Sequence, residues 1–381
     1  MSRSIWRSSA PGSVSGSAWC GMLRRIRTGG GILGERRDRH QMSGKVRIRW
    51  GVAAVYAAVS ILLPSILLTL AGRHALPLLE ERFLFQAPGF VQARILVHLA
   101  ARGLALVLPS AGIITIYHVL SSLSVMAMLL SFRRLVGAVS THTDWPDRDP
   151  ARDCLIILVP VAANYILLGG VFMPEDFPAI ALFSLGLAML LEGRTGWFYA
   201  VFAVGCLNRE TIVLLVPAFV LAAQTGRSGL GDLIARALHA VLLLAIWAGI
   251  RACIFTLLCG GIPVLYEDHL AENLAFVRDM ILMKPHAAKM WLTFGGMWIL
   301  VPFAWRRMPA VLRRLMILFP IMFLIMLKTG NFDGEARIWN ELVPLAALPW
   351  FGVMVRCQRK KRQKRTDLEL YSEYNSLCST K

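Results

Sequence analysis

The chain has 381 residues, of which 56% are hydrophobic, and it carries a formal net charge of +18. Apolar runs recur from residue 50 to residue 355, and no stretch outside them is long enough to bury a core of its own. This composition excludes a water-soluble globular enzyme. It predicts an all-α, polytopic membrane helix bundle.

The two ends of the chain are basic. Residues 1–49 hold eleven Lys and Arg against Glu35 and Asp38, are rich in Ser and Gly, and lack the apolar run of a secretory signal. They are predicted to be disordered, with the functional chain starting near Met42; a transit peptide is the open alternative. Residues 356–381 begin RCQRKKRQKR and are predicted to form a basic cytoplasmic tail. Beside membrane spans, such ends indicate contact with anionic lipid and no nucleic-acid partner.

Eight apolar runs are candidates to cross a bilayer: 50–71, 110–131, 154–172, 177–192, 237–258, 287–305, 314–328 and 338–355. Basic residues such as Arg134, Arg194 and Arg306 are predicted to mark their cytoplasmic ends, which places both termini inside. Residues 50–355 are therefore predicted to form one transmembrane domain, most simply in a bacterial cell membrane.

Residues 91–108 form an apolar stretch with a polar stripe. Arg94, His98 and Arg102 follow one another at intervals of four residues, so they share one face of a helix. This pattern predicts a helix that lies in the outer membrane interface rather than one that crosses the bilayer. His98 is then a residue of the polar face rather than a metal ligand.

The stretch GWFYAVFAVGCLNRETIVLLVPAFVLAA, residues 196–223, carries Asn208, Arg209 and Glu210 in its middle. Each apolar half is too short to cross a core of ~30 Å, which predicts a re-entrant pair of half-helices with these three residues at its tip. One kinked span with a buried salt bridge is the alternative. In either case the charges must face protein or water, and Arg209 is predicted to pair with Asp176, Glu210 or Glu335.

Acidic residues gather in the predicted outer loops. Two of these loops contain MPEDFP, with Glu175 and Asp176, and NFDGEARIWNEL, with Glu335 and Arg337. They predict an outer pocket in which carboxylates act as general base or metal ligands while arginines hold a phosphate. The sequence has no P-loop, GxSxG or HExxH motif, and no metal-ligand spacing of Cys or His. No metal site is predicted, and the cofactor stays open, with a divalent cation as one alternative.

Two segments carry a resemblance to a known class. RHALPLLEERFLFQAPGFVQARILVHLAARG has Glu80 and Glu81 as its only acids, and EDFPAIALFSLGLAMLLEGRTGWFYAVFAVGCLNRETIVLL follows later. Together with the order of spans, they resemble the GT-C class of integral membrane glycosyltransferases, such as protein mannosyltransferases and aminoarabinose transferases. Members of this class take a sugar from a polyprenyl-phosphate carrier on the extracytoplasmic side. An acid in their first outer loop serves as catalytic base; Glu80–Glu81 stands where the class has an Asp-Glu or Asp-x-Asp pair.

The resemblance implies a lipid-linked sugar transferase, with a catalytic base among Glu80, Glu81 and Asp176. The residues predicted to bind substrate are Glu175, Arg209, Glu210, Glu335, Arg337, Arg94 and Arg102. A transporter or flippase is a second hypothesis, because discontinuous helices with charge at mid-depth are typical of transporters. A third is a non-catalytic membrane component of an envelope-assembly complex, in which the outer acids would tolerate replacement.

Overall fold

The structure is a computed structural model. It describes residues 50–72, 75–86, 94–141, 153–167, 173–222, 230–258, 268–330, 332 and 336–353. The basic N-terminal segment and the basic tail lie outside these ranges, so the predictions made for them stay predictions. Within the described residues every regular element is a helix, which confirms the all-α prediction.

The α-helices are Trp50–Ala71, Ala75–Phe83, Ile95–Val107, Ile113–Ser140, Leu158–Ala162, Asp176–Leu191, Thr195–Asn208, Leu215–Ala222, Leu230–Leu258, Leu270–Ile281, Pro285–Ala288, Val301–Ala304, Ala310–Leu315, Leu318–Thr329 and 343–353. Shorter 3₁₀ segments are Asp153–Ile157, Glu210–Leu214, Lys289–Leu300, Trp305–Arg307 and Ala336–Leu342. Ala163–Leu167 is a π-helix.

Five of the described helical stretches are long and apolar enough to cross a membrane: Trp50–Ala71, Ile113–Ser140, Leu230–Leu258, Pro285–Ala304 and Ala310–Thr329. They make the chain a multi-pass helical membrane bundle. The other three predicted spans correspond to shorter described helices, and a count of eight crossings is not confirmed. The helix predicted at 110–131 continues to Ser140, and the one predicted at 237–258 begins already at Leu230.

The helix Asp176–Leu191 stands at the centre of the bundle. It packs against Ile113–Ser140 on one side and Thr195–Asn208 on another. It is apolar around its whole circumference, as expected of a fully enclosed helix. At 1.5 Å per residue it is about 24 Å long. The end of the bundle at which this helix begins is called the Asp176 end. The opposite end, where Glu192 follows the last residue of the helix, is called the Glu192 end.

Gly193 terminates this central helix. Its φ of 71° is left-handed, a conformation that costs glycine little because it has no Cβ. The N–H of Gly193 donates to the carbonyl of Leu190, and the N–H of Arg194 donates to that of Met189. This pair of bonds is the Schellman motif, which closes a helix and turns the chain. The turn leads directly into the next helix, at Thr195.

Charged side chains at the Glu192 end are partly exposed. Arg134 donates two hydrogen bonds to the Glu192 carboxylate, at 2.9 and 2.8 Å. Arg194, with a side chain 56% exposed, lies 2.9 Å from the same carboxylate. Exposed pairs of this kind contribute little to stability, so the Glu192 end is an ordinary solvated rim.

Residues 195–222 form a hairpin with its tip at the Asp176 end. The first leg ends at Asn208, and Arg209 is extended, with φ −156° and ψ 143°. The rings of Phe198 and Phe219, one from each leg, have centroids 5.6 Å apart. A single kinked span would separate these two residues by about 30 Å. The legs therefore run antiparallel, as the re-entrant prediction requires and the kinked-span alternative does not allow.

The legs of the hairpin approach each other closely at Gly205. A Cβ added there would lie 2.5 Å from Cγ1 of Ile212 on the opposite leg, so no larger residue fits without displacing that leg. The absence of a side chain at this one position therefore lets the extended turn at Arg209 close into a hairpin.

The span predicted at 287–305 is discontinuous. Phe294, Gly295 and Gly296 have φ of 56°, 65° and 71°, so the helix unwinds there. The two glycines permit this conformation, and a buried side chain caps it: Oδ1 of Asn164 accepts the Phe294 N–H at 2.9 Å. The amide of Asn164 also donates to Oδ1 of Asn340, at 3.0 Å. A hydropathy pattern cannot reveal such a break, because the residues on both sides stay apolar.

Candidate functional site

Eight charged side chains gather at the Asp176 end. Within the described part of the chain they are four arginines and four carboxylates: Arg82, Arg94, Arg209, Arg251, Glu175, Asp176, Glu210 and Glu341. Their formal charges cancel. The most exposed side chain of this buried charge cluster is Glu210, at 19%. Segments far apart in the sequence supply the members, so the cluster exists only in the folded bundle.

Glu175 joins the first helices of the chain to the centre of the bundle. Its carboxylate accepts from Nη1 of Arg82, at 3.0 Å, and lies 3.5 Å from Nη1 of Arg94. Nη2 of Arg82 contacts the sulfur of Met173. Glu175 lies between two predicted spans. Burial there opposes the ionised form, but the two guanidinium groups more than offset it, so the pKa of Glu175 is held below its usual value.

Glu210 joins the hairpin tip to two further elements. Arg94 donates to its Oε1 at 3.1 Å, and Nη2 of Arg251 lies 3.7 Å from its Oε2. The indole N–H of Trp247 donates to the Glu210 carbonyl at 3.0 Å. Arg251 and Trp247 both belong to the helix Leu230–Leu258, which therefore reaches the cluster through its second half.

Arg209 is buried between two carboxylates. Its Nη1 donates to Oδ1 of Asp176 at 2.9 Å, and its Nε lies 3.2 Å from Oε1 of Glu341. Tyr165 donates to the other oxygen of Asp176, and Thr211 donates to Glu341. The guanidinium is 2% exposed, so its charge is compensated by these two acids rather than by solvent.

The structure brings together a large part of the predicted substrate-binding set. Arg209 meets Asp176, as predicted for a guanidinium at that depth. Its second partner, Glu341, was not foreseen, although an acid at the start of an apolar run was a visible signal. Arg251 was missed in the same way: it is a lone charge inside the apolar run 237–258. Glu335 and the side chain of Arg337 lie outside the described residues.

The polar stripe of the helix Ile95–Val107 faces inward, contrary to prediction. Arg94 is 9% exposed and His98 is 1% exposed, whereas Leu99, the neighbour of His98 off the stripe, is 49% exposed. Nδ1 of His98 lies 2.8 Å from the hydroxyl of Tyr117. Arg94 points towards Glu175 and Glu210, which pair with it, because a charge at membrane depth must face protein or water. Of the stripe, Arg102 alone is exposed.

Several of the carboxylates at this end, which were predicted to line an outer pocket, are buried against arginines. Glu175, Asp176 and Glu341 are 0% exposed and face arginines. Glu80 and Glu81, predicted as catalytic bases, lie on the exposed face of the helix Ala75–Phe83. Only Arg82 of that helix enters the cluster, because side chains two residues apart point to different sides of a helix.

The site therefore has two parts with different chemistry. The buried charge cluster is internally neutral and ties the elements together. Outside it, Arg102, Glu80 and Glu81 are exposed and can meet a ligand. Within the described ranges, no three His, Cys, Asp or Glu side chains are grouped so as to hold a metal ion.

Fold and site define a helical membrane protein that holds a neutral arginine–carboxylate network at one end of its bundle. No protein-family model, curated protein or solved structure matches the chain.

Proposed function

We propose that this protein binds a polyprenyl-phosphate-linked sugar at the Asp176 end of the bundle and transfers the sugar there. The proposal places this end on the extracytoplasmic side. It is supported by the basic residues of the opposite end, Arg134 and Arg194 among them, since Lys and Arg favour the cytoplasmic side.

The position of Arg102 is the observation that carries the proposal. Its Nε donates to the carbonyl of Phe83 at 2.7 Å, and its guanidinium carbon lies 4.2 Å from the ring centroid of Phe85. Both contacts fix the position of the planar, forked guanidinium group of Arg102. The two terminal NH₂ groups have no hydrogen-bond partner among the described residues. A fixed guanidinium with two outward donors matches two oxygens of a phosphate.

The surroundings of Arg102 favour a lipid-borne phosphate over a soluble one. Leu99, Leu106 and Val107 on the same helix are 49%, 85% and 73% exposed. In a membrane protein such residues contact acyl or isoprenoid chains. A polyprenyl phosphate would lay its chain along this face and its phosphate against Arg102.

Glu80 or Glu81 is the proposed general base. Both lie on the helix that ends at Phe83, the residue whose carbonyl holds Arg102, and both are exposed. Asp176 is the weaker candidate for this role because Arg209 and Tyr165 already engage both of its oxygens. An exposed carboxylate near the phosphate is free to accept a proton from an acceptor hydroxyl.

Binding of polyprenyl phosphate by purified protein in lipid nanodiscs tests the proposal. Arg102→Gln is expected to weaken binding about tenfold, the worth of a charge-assisted hydrogen bond, because it removes the fork and its charge. Arg102→Lys should retain part of the affinity.

Arg278→Gln is the matched control, since Arg278 is also an exposed arginine but belongs to another helix, with a side chain 66% exposed. It is expected to leave binding unchanged. Equal loss in Arg102→Gln and Arg278→Gln would mean that only general surface charge matters. Unchanged binding in both variants would contradict the proposed site.

A flippase or transporter is the second candidate, favoured by the break at Phe294–Gly296 and by the hairpin at 195–222. Discontinuous helices of this kind line substrate paths in transporters. The two functions differ in product: a transferase releases the lipid carrier without its sugar, whereas a flippase moves the intact lipid-linked sugar between leaflets of a sealed vesicle.

A further inference from the structure

Two hydrogen-bond donors lie unused behind Arg102. Nε of Arg94 and Nε2 of His98 are buried and have no hydrogen-bond partner. His98 lies about one turn before Arg102 in the sequence, and Arg94 lies about two turns before it. Each step of four residues corresponds to about 6 Å along a helix axis. Buried polar atoms without a partner are uncommon in folded proteins, and each needs a physical reason.

The neighbours of His98 fix what its free nitrogen can do. The Tyr117 hydroxyl lies 2.8 Å from Nδ1; in the tautomer in which Tyr117 donates to Nδ1, the imidazole hydrogen is on Nε2. Nε of Arg94 always carries a hydrogen. In that tautomer both unused atoms are donors, and together they can donate to the oxygens of an anionic group.

Phe85 covers the path from the exposed guanidinium to these donors. Its ring lies against Arg102 at 4.2 Å and meets the His98 ring edge-on, with centroids 6.4 Å apart. The backbone of Phe85 is left-handed, with φ 57°, which is strained for a residue with a Cβ. The Phe85 ring thus contacts both Arg102 and His98.

The charge balance allows a second anion at this point. The terminal nitrogens of Arg94 are already paired with Glu175 and Glu210, and Glu175 is paired with Arg82 as well. The nearest carboxylates are thus compensated by guanidinium groups. An arriving anion meets two directed donors rather than an unpaired negative charge.

We propose that Arg94 and His98 form a second anion subsite, covered by Phe85, and that the ligand is therefore a polyprenyl diphosphate ester rather than a monophosphate ester. Its outer phosphate binds Arg102, and its inner phosphate accepts hydrogen bonds from His98 Nε2 and Arg94 Nε after Phe85 rotates. This inference rests on the proposed function, since it needs the Arg102 site.

Competition between two lipids in nanodiscs tests the inference. The native protein is expected to bind polyprenyl diphosphate about tenfold more tightly than polyprenyl monophosphate, since the inner subsite adds one charge-assisted contact. His98→Leu should abolish that preference, so that the variant binds the two lipids equally. Phe85→Ala, at a half-buried position, should weaken binding of both lipids because Arg102 loses its ring contact, but it should increase the preference for diphosphate. It keeps the test valid if His98→Leu fails to fold.

The outcomes separate the two proposals. If the native protein binds both lipids equally, the inner subsite is wrong while the Arg102 site stands. If it binds neither lipid, the proposed function falls, and the inference with it. A preference that survives in His98→Leu overturns the subsite, and so does a preference that Phe85→Ala leaves unchanged. Inorganic pyrophosphate is the third probe: competition as strong as that of the lipid would support the subsite but identify free diphosphate as its source.

Discussion

Replacing Arg209 with alanine is expected to lower the free energy of unfolding by about 3–5 kcal/mol, because it leaves buried acids without their counter-charge. Asp176 and Glu341 are both 0% exposed and both face this guanidinium. The change is measured by titrating the purified protein, in mixed micelles, with a denaturing detergent.

Arg194→Ala is the matched control for Arg209→Ala. Arg194 also pairs with a carboxylate, that of Glu192, but its side chain is 56% exposed. Its loss is expected to cost less than about 1 kcal/mol. Equal effects of the two substitutions on the free energy of unfolding would contradict the view that burial is the reason why the loss of Arg209 is costly.

Arg209→Lys distinguishes structure from activity at this position. Lysine keeps the charge but not the planar fork that reaches Asp176 and Glu341 at once. The variant is expected to insert and fold. If the cluster also shapes the ligand site, activity is lost at normal protein levels. If Arg209→Lys is nearly silent, the cluster is a structural salt bridge alone.

Glu175→Ala is expected to have an effect of similar size, again about 3–5 kcal/mol, since it removes a carboxylate that pairs with two buried guanidinium groups. Arg82 and Arg94 both rely on this side chain. The same denaturant titration measures it, with Glu81→Ala as control, because Glu81 is exposed on the helix that carries Arg82. A loss no larger than that of Glu81→Ala would contradict the role assigned to Glu175.

Hydropathy was sufficient to predict the helical class and the positions of the long apolar helices. It was also sufficient to predict the hairpin at 195–222, because two apolar legs too short to cross a bilayer flank three polar residues. The close contact at Gly205 and the break at Phe294 were not predictable. They depend on which side chains from other segments, Ile212 and Asn164, arrive opposite them.

The charged residues were easier to identify than to orient. A lone charge in an apolar run must find a partner, and this reasoning correctly paired Arg209 with Asp176. The same reasoning applied to Arg251 and Glu341 would have found two more members of the cluster. The stripe of Arg94 and His98 was turned the wrong way because a polar face was assumed to seek water, whereas here it meets buried carboxylates.

Cysteine labelling in intact cells tests the central claim most directly, namely that the Asp176 end with its exposed Arg102 faces outside. In a background with the chain's seven cysteines replaced, Glu81→Cys and Thr195→Cys each place one thiol at an exposed position, at opposite ends of the bundle. With a membrane-impermeant maleimide, Glu81→Cys is expected to react in intact cells, and Thr195→Cys only after the membrane is opened. Reaction of Thr195→Cys in intact cells with protection of Glu81→Cys would contradict the account, because a lipid-linked sugar on the extracytoplasmic side could not reach Arg102.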